Sequence, residues 1–280
     1  MEGSIALPRT SIKIMSFNIA HGSGMDGVLD LEKTAQVIEA SGAEIVGLQE
    51  LDRFFSERSA YIDQVEFLSK RLGMYAAFGA SIDQEADESE RPRKQYGNAV
   101  FSKYPIKYQE THMLTQVIDP FGNNEQRSVL ETIIDVNGTY ISVYNTHLAL
   151  KDEELKVSLD ELLSIAGKNQ FPTIITGDFN APPTHIYMLK MEQDYNDVFY
   201  HQGRNDDYTY PAPYENEETG EKLKPVTRID YIFTDAHFNI ETAERITTSV
   251  SDHLPITAEL VLTNSKSTPL KKRPSQKVGS

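Results

Sequence analysis

The longest apolar runs in this chain are all strand-length, and four of them stop at a short polar cluster. The clusters are Phe17 and Asn18, Gln49 and Glu50, the GDFN run from Gly177 to Asn180, and Ser251 to His253. Runs this short exclude a membrane-spanning helix, which needs about 20 apolar residues. A packed core has no use for amides, carboxylates and an imidazole at the ends of its strands. A rigid sheet edge holds such groups at fixed mutual distances, as hard-cation and phosphoryl chemistry requires. The clusters therefore read as a divided metal and phosphate site.

The intervening sequence supplies the elements such an edge needs. Residues 12–17 are strand-like, a helix follows with Asp30 as its cap and Gly42 as its stop, and residues 44–48 form a second apolar strand, which makes one βαβ unit. Val65, Leu68 and Leu72 lie at helical spacing within residues 61–72, before Gly73. Strand signals follow at 74–78, 98–102 and 106–114. Residues 129–136 and 139–146 are β-branched runs separated by Asn137 and Gly138, which predicts an antiparallel hairpin. A helix with Leu155, Leu159, Leu162 and Leu163 on one stripe is expected over 152–166, then strands at 173–176, 229–233, 238–246 and 255–262. Two long polar loops, 83–95 and 211–225, either shape substrate access or are solvated insertions.

Charge narrows the partners. The 280 residues carry 27 basic and 42 acidic groups, a net charge of −15, with 39% hydrophobic residues, as in a soluble globular protein. Lys266, Lys271, Lys272, Arg273 and Lys277 all lie in the acid-free end 264–280, so the body is more acidic still. A nucleic-acid binder gains affinity from a basic groove that neutralises phosphates, so nucleic acid is the less favoured partner. The basic end reads as a flexible tail following a single domain over 12–263. Cysteine is absent, which removes disulfides, thiolate metal sites and cysteine nucleophiles. No basic start followed by an apolar stretch precedes Ser11, so no secretion signal is expected, although a cleaved one would leave no trace. The compartment stays open between the cytoplasm and secretion, and no protein partner is indicated.

Taken in order, FN, QE, the NTH at Asn145 to His147, GDFN, RIDYIF at Arg228 to Phe233 and SDHLPI at Ser251 to Ile256 resemble the endonuclease/exonuclease/phosphatase family of metal-dependent phosphoesterases. The resemblance spans roughly residues 12–262. It implies an α+β fold, a four-layer αββα sandwich of two packed mixed β-sheets with helices outside. It also implies a cation, Mg²⁺ or Mn²⁺, on Asn18 and Glu50 with Asp252 as a further contact. Asp178 and Asn180 match the pair that orients water and scissile phosphate, His253 matches the histidine at the phosphate, Asp230 its carboxylate partner, and His147 the second histidine. Tyr96 and Asn98 match a signature at the site rim; Arg127 joins them as a candidate substrate contact from its residue type and not from the resemblance. Ala20 departs from the aspartate that abasic-site nucleases carry two residues after the FN asparagine. That favours the wider phosphodiesterase and phosphatase membership.

Phosphoester hydrolysis needs these residue types: charge must be neutralised on nonbridging oxygens, a water positioned, and the alkoxide protonated or coordinated. The expected reaction is in-line attack of an activated water, with His253 as candidate base, on a phosphate ester, preferably a phosphodiester in a small molecule or lipid headgroup. The alternatives are a nuclease and a noncatalytic scaffold. Several residues carry two readings. Arg127 and Arg228 either grip phosphate or pair with carboxylates, and His21 either reaches substrate or serves its glycine-rich loop. Tyr208, Tyr210 and Tyr214 either line a pocket or pack a rigid turn. His112, His185, His201 and His237 read as ordinary histidines.

Overall fold

The computed structural model describes residues 10–86, 88, 90–117, 125–215, 219–220 and 222–263. The basic end, the tip 216–218 of the second long loop and residues 87 and 89 of the first lie outside these. The strands are β1 (Ser11–Asn18), β2 (Ile45–Arg53), β3 (Tyr75–Gln84), β4 (Lys94–Ser102), β5 (Ile106–Met113), β6 (Ser128–Val136), β7 (Thr139–His147), β8 (Thr173–Asp178), β9 (Asn196–Asp197), β10 (Tyr214–Glu215), β11 (Lys222–Leu223), β12 (Asp230–Thr234), β13 (Phe238–Arg245) and β14 (Ile256–Leu262). The helices are α1 (Leu31–Ser41), α2 (Gln64–Leu72), α3 (Asp152–Ala166), α4 (Ile186–Met191) and α5 (Val198–His201).

These strands form two six-stranded mixed sheets, ordered β13-β14-β1-β2-β4-β3 and β5-β6-β7-β8-β12-β9. Each has one parallel pair, β1 with β2 and β7 with β8, and α1 and α3 are the crossovers of those pairs. The expected α+β sandwich is the fold observed. Period-two alternation builds its layers. Ile12 and Ile14 face the second sheet and meet Val143, Ile174 and Ile232, whereas Met15 and Phe17 face outward onto Ala35, Ile38 and Leu68. On the far side, Tyr144, Ile175 and Tyr231 pack under Leu155, Leu159 and Leu162 of α3.

Local chemistry fixes several boundaries. Asp30 accepts a hydrogen bond from Lys33 N, and Gly42 closes α1 at φ +72°, as expected of cap and stop residues. The helix expected from residue 61 begins three residues later. Ala60 and Tyr61 are left-handed, and Asp63 is the cap, accepting from Glu66 N. The Asn137–Gly138 turn has φ of +53° and +91°, the positive pair that a two-residue hairpin requires. β3 and β4 run further than their apolar centres suggest, through Gln84 and from Lys94, so the two ends of the first long loop, residues 83–84 and 94–95, belong to the hairpin. The second contains the short ladder β10 with β11. The pieces β9, α4 and α5 have no periodicity of their own and form by tertiary docking.

Candidate active site

The inward-facing positions of the central strands change character along their length. Ile12 and Ile14 give way to Ser16 and Asn18, Val143 to Asn145 and His147, and Ile174 to Thr176 and Asp178, all buried. Strand register sets His147, Asp178 and Asp230 in one row across β7, β8 and β12. Asn18 stands level with Gln49 across β1 and β2 on the opposing sheet.

Glu50 needs a special device to join them. In a regular strand it would follow Leu48 to the outer face. The pairing of β2 with β4 shifts between Leu48 and Leu51, so Gln49 and Glu50 together oppose Asn98, and Glu50 is left-handed at φ +62°. This bulge re-aims the carboxylate into the site, at a backbone cost of about 1–2 kcal/mol for a non-glycine residue. Asn18 then joins the sheets: its Nδ2 donates to Glu50 Oε1 at 2.9 Å and to Asp178 Oδ2 at 3.1 Å.

Asp178 Oδ1 accepts from Asn180 N at 2.9 Å, and Asn180 sits at φ +52°, a region asparagine tolerates. Asn180 Nδ2 donates to Leu148 O at 2.9 Å and to His147 Nε2 at 3.0 Å. With Nε2 accepting, the His147 proton belongs on Nδ1, which faces Glu50 Oε1 at 3.8 Å and makes no hydrogen bond. His253 donates from Nδ1 to Asp230 Oδ2 at 3.0 Å and turns Nε2 toward Asp178 Oδ2 at 3.5 Å. Ser251 Oγ donates to Asn18 O at 2.7 Å and accepts from His253 N at 3.2 Å, which fixes the SDH segment against β1.

Burial sorts the charges. It pushes Glu50 above the usual carboxylate range despite the Asn18 hydrogen bond, and Asp252 adds to the rise. Burial likewise carries Asp178 up to about 7, opposed by His253 and reinforced by Asp230. For His253 burial acts downward, but the carboxylates of Asp230 and Asp178 outweigh it and raise the imidazole to about 10. His147 is held well below its ordinary value by burial, with Arg127 and His253 adding to the effect. At neutral pH His253 is therefore a cation and His147 neutral, while Asp178 titrates close by. Two carboxylates from opposite sheets bridged by one amide, with Asp252 acting on Glu50, offer oxygen donors that suit a hard divalent ion once ionised. Asp178, Asp230 and His253 also bring ligand atoms within 4.8 Å of one another.

The expected residues separate into contacts and supports. Asn18, Glu50, His147, Asp178, Asn180, Asp230 and His253 converge, and Asp252 lies near enough to raise Glu50. Tyr96 is buried at the rim, within the electrostatic reach of Glu50 and Arg127. Asn98 instead donates to Ser128 O on the other sheet at 3.3 Å, and Arg127 donates to Glu125 Oε1 at 2.6 Å. Arg228 is fully buried and spent on Asp197 and Asn205, each at 2.6 Å, which settles its two readings for pairing. The Tyr210 ring lies 4.8 Å from that of His253 and forms a wall of the site.

A buried support layer escaped the sequence reading. Asn145 Nδ2 donates across the sheets to Leu48 O at 2.7 Å and Ala99 O at 2.9 Å, while its Oδ1 accepts from Gln49 Nε2 at 2.7 Å and Thr176 Oγ1 at 3.0 Å. Gly47 makes room for it, because a Cβ there would lie 2.2 Å from Thr176 Oγ1. The available signal was position: Asn145 and Thr176 each stand two residues before a site residue, on the same strand face.

The family model described as "Endonuclease/Exonuclease/phosphatase family" matches residues 15–253, and the chain belongs to that family. It is 24% identical over 267 residues to the uncharacterized protein YbhP of Escherichia coli (strain K12), covering 90% of this chain and 97% of YbhP. Among solved structures, an endonuclease/exonuclease/phosphatase from Beutenbergia cavernae superposes with a TM-score of 0.72 at 24% identity, over 91% of this chain and 72% of the other. The Bacteroides thetaiotaomicron mannosyl-6-phosphatase superposes with a TM-score of 0.62 at 18% identity, over 90% and 100%. At these identities the structural likenesses show the fold. Phosphoester hydrolysis is supported by the family.

Proposed function

We propose that the protein hydrolyses a phosphate ester with Mg²⁺ or Mn²⁺, preferring a phosphodiester in a small molecule or lipid headgroup. The observation that carries this reading is the meeting of both sheets through Asn18, which holds Glu50 and Asp178 together beside the Asp230–His253 pair. Glu50 and Asn18, with Asp252, would hold the ion, which when bound neutralises charge on the phosphoryl group and the departing alkoxide.

Asp178 is the better base than His253, which the sequence alone favoured. A carboxylate raised to about 7 is poised to take a proton from water at neutral pH, whereas His253, raised to about 10, already carries one. His253 instead presents its Nε2 proton to a nonbridging oxygen, and Asp230 holds the ring in that orientation and charge state. Asn180 keeps Asp178 aimed through its backbone N–H, and His147, neutral, anchors the Asn180 amide.

The acidic body favours a small substrate over a long polyanion, and the likeness to a mannosyl-6-phosphatase keeps phosphomonoesters in range. Among the described residues no helix is long and apolar enough to cross a membrane. The test is turnover by purified protein with Mg²⁺ or Mn²⁺ on bis-p-nitrophenyl phosphate, p-nitrophenyl phosphate, choline and inositol phospholipids, supercoiled DNA and RNA. Hydrolysis of the small esters or lipids is expected. Efficient nicking of DNA at low enzyme concentration would make it a nuclease, and no turnover on any substrate would leave a scaffold.

A further inference from the structure

Beside the proposed phosphoester centre, and outside every residue assigned to it, a cation is fixed in place at the rim. Asp52, two residues beyond Glu50 on β2, is fully buried and accepts from Arg58 Nε at 2.9 Å and from Nη2 at 2.8 Å. The guanidinium lies over the rings of Phe55 and Tyr96, its Cζ 4.6 and 5.4 Å from their centroids. One edge of the fork is thus spent on Asp52 and one face on aromatic carbon. The Arg58 side chain stays 40% exposed, and among the described residues its Nη1 donates no hydrogen bond. A guanidinium held from behind and below keeps an outward donor edge with little rotamer freedom left to lose, the arrangement that suits a planar grip on phosphate or carboxylate.

His21 belongs to the same assembly. Fully buried Gln64 accepts from Asp52 N at 2.9 Å and donates to His21 O at 2.6 Å, so one side chain sets both backbones. Ala20 and His21 are consecutive non-glycine residues at φ +44° and +47°, a strained pair that Gln64 helps to hold. His21 Nδ1 is shut off from solvent without a hydrogen-bond partner, a state that costs about 1–3 kcal/mol unless something supplies one. Arg58 and Asp252 both act on the His21 ring, and Arg58 also feels Glu50, so the pair lies within electrostatic reach of the centre.

We propose that Arg58 and His21 form a second anion-recognising subsite, so that the substrate carries a further phosphate or carboxylate on the fragment bearing the scissile ester. The inference rests on the neighbouring centre taking a phosphate ester. Asp52 and the two aromatic rings aim the guanidinium, and with Nδ1 shut off from solvent the ring donor that His21 adds to the bound group is Nε2.

Calorimetric titration of the protein loaded with Ca²⁺, which keeps a phosphate-holding cation at the centre, with glucose 6-phosphate, glucose 1,6-bisphosphate and 6-phosphogluconate tests it by a readout other than turnover. The bisphosphate should bind roughly ten- to a hundredfold tighter than the monophosphate, as expected for one charge-assisted contact. 6-Phosphogluconate shows whether a carboxylate suffices as the second group. The double variant Asp52→Asn/Arg58→Gln removes both charges, so no buried carboxylate is stranded, and should bring the ratio to within about threefold. His21→Asn, tolerated in left-handed backbone, should reduce it in part and keeps the test alive if the double variant fails to melt cooperatively. Equal affinities in the natural protein, or a ratio that survives both changes, overturns the subsite. A ratio that holds while no ester is hydrolysed with Mn²⁺ would remove the proposed reaction and leave the subsite standing.

Discussion

The layer between the two sheets has a dry end and a wet end built on the same strands. At the dry end Ile12, Ile45, Ile134, Val143 and Ile174 interdigitate, each fully buried, and each contributes about 1.5–3 kcal/mol by leaving water. One or two inward positions further along, Gln49, Asn145 and Thr176 occupy equivalent places and exchange hydrogen bonds instead of dispersion contacts. Beyond them the site holds carboxylates that burial pushes away from ionisation, and two left-handed residues, Glu50 and Asn180. The dry end supplies stability in excess of local need, and the wet end draws on it to keep strained and desolvated groups in place.

Asp178→Asn strikes the wet end alone and should have the largest effect. Turnover of bis-p-nitrophenyl phosphate with Mn²⁺ should fall by about 10²–10⁴ while the chain stays folded. Retained turnover would remove Asp178 from the chemistry. Ile174→Ala strikes the dry end and should cost about 2–5 kcal/mol in denaturant unfolding, with kcat per folded molecule little changed. A matching collapse in kcat would show that the two ends are not separable.

Asn145→Ala sits on the boundary and should register at both ends. Two strand carbonyls and the Gln49 amide lose their partner, for a loss of about 1–3 kcal/mol in stability. Mn²⁺ affinity measured by electron paramagnetic resonance should also weaken, because Asn145 holds Leu48 at the start of the Glu50 bulge. Destabilisation with unchanged metal affinity would make Asn145 a packing residue only.

The smallest effect is a pH dependence of the metal-free protein. His253 has its folded-state value raised to about 10 from an ordinary 6.5. Its contribution is therefore fully present below pH 6.5 and is lost as pH rises toward 10. Thermal melts in EDTA across that window should show a declining melting temperature in the natural protein and a flatter profile in His253→Gln. Parallel profiles would mean that the Asp230 and Asp178 charges do not act on His253 as the geometry indicates.

Much of the scaffold is legible in the sequence because it is specified over short distances. Asp30 and Gly42 bracket α1, Asn137 and Gly138 close a hairpin, and alternating apolar positions assign each strand face without reference to a partner strand. The site residues are legible because their motifs survive in order. What they do to one another is less so. Asn98, which matches a rim signature, also ties the two sheets through Ser128 O, and Arg228, for which the sequence left phosphate contact and pairing both open, is consumed by Asp197. Both outcomes depend on which group faces them from a strand or helix far away in the chain.

The sequence by itself determined that strands would carry amides, carboxylates and imidazoles at their ends, because side-chain type and strand period are local properties. Only the tertiary structure decided that a bulge turns Glu50 inward, that one Asn18 amide holds carboxylates from both sheets, and that burial raises Asp178 while the Asp230 and Asp178 carboxylates raise His253. Those depend on burial and on distances between residues remote in sequence, and electrostatic energies change steeply with both.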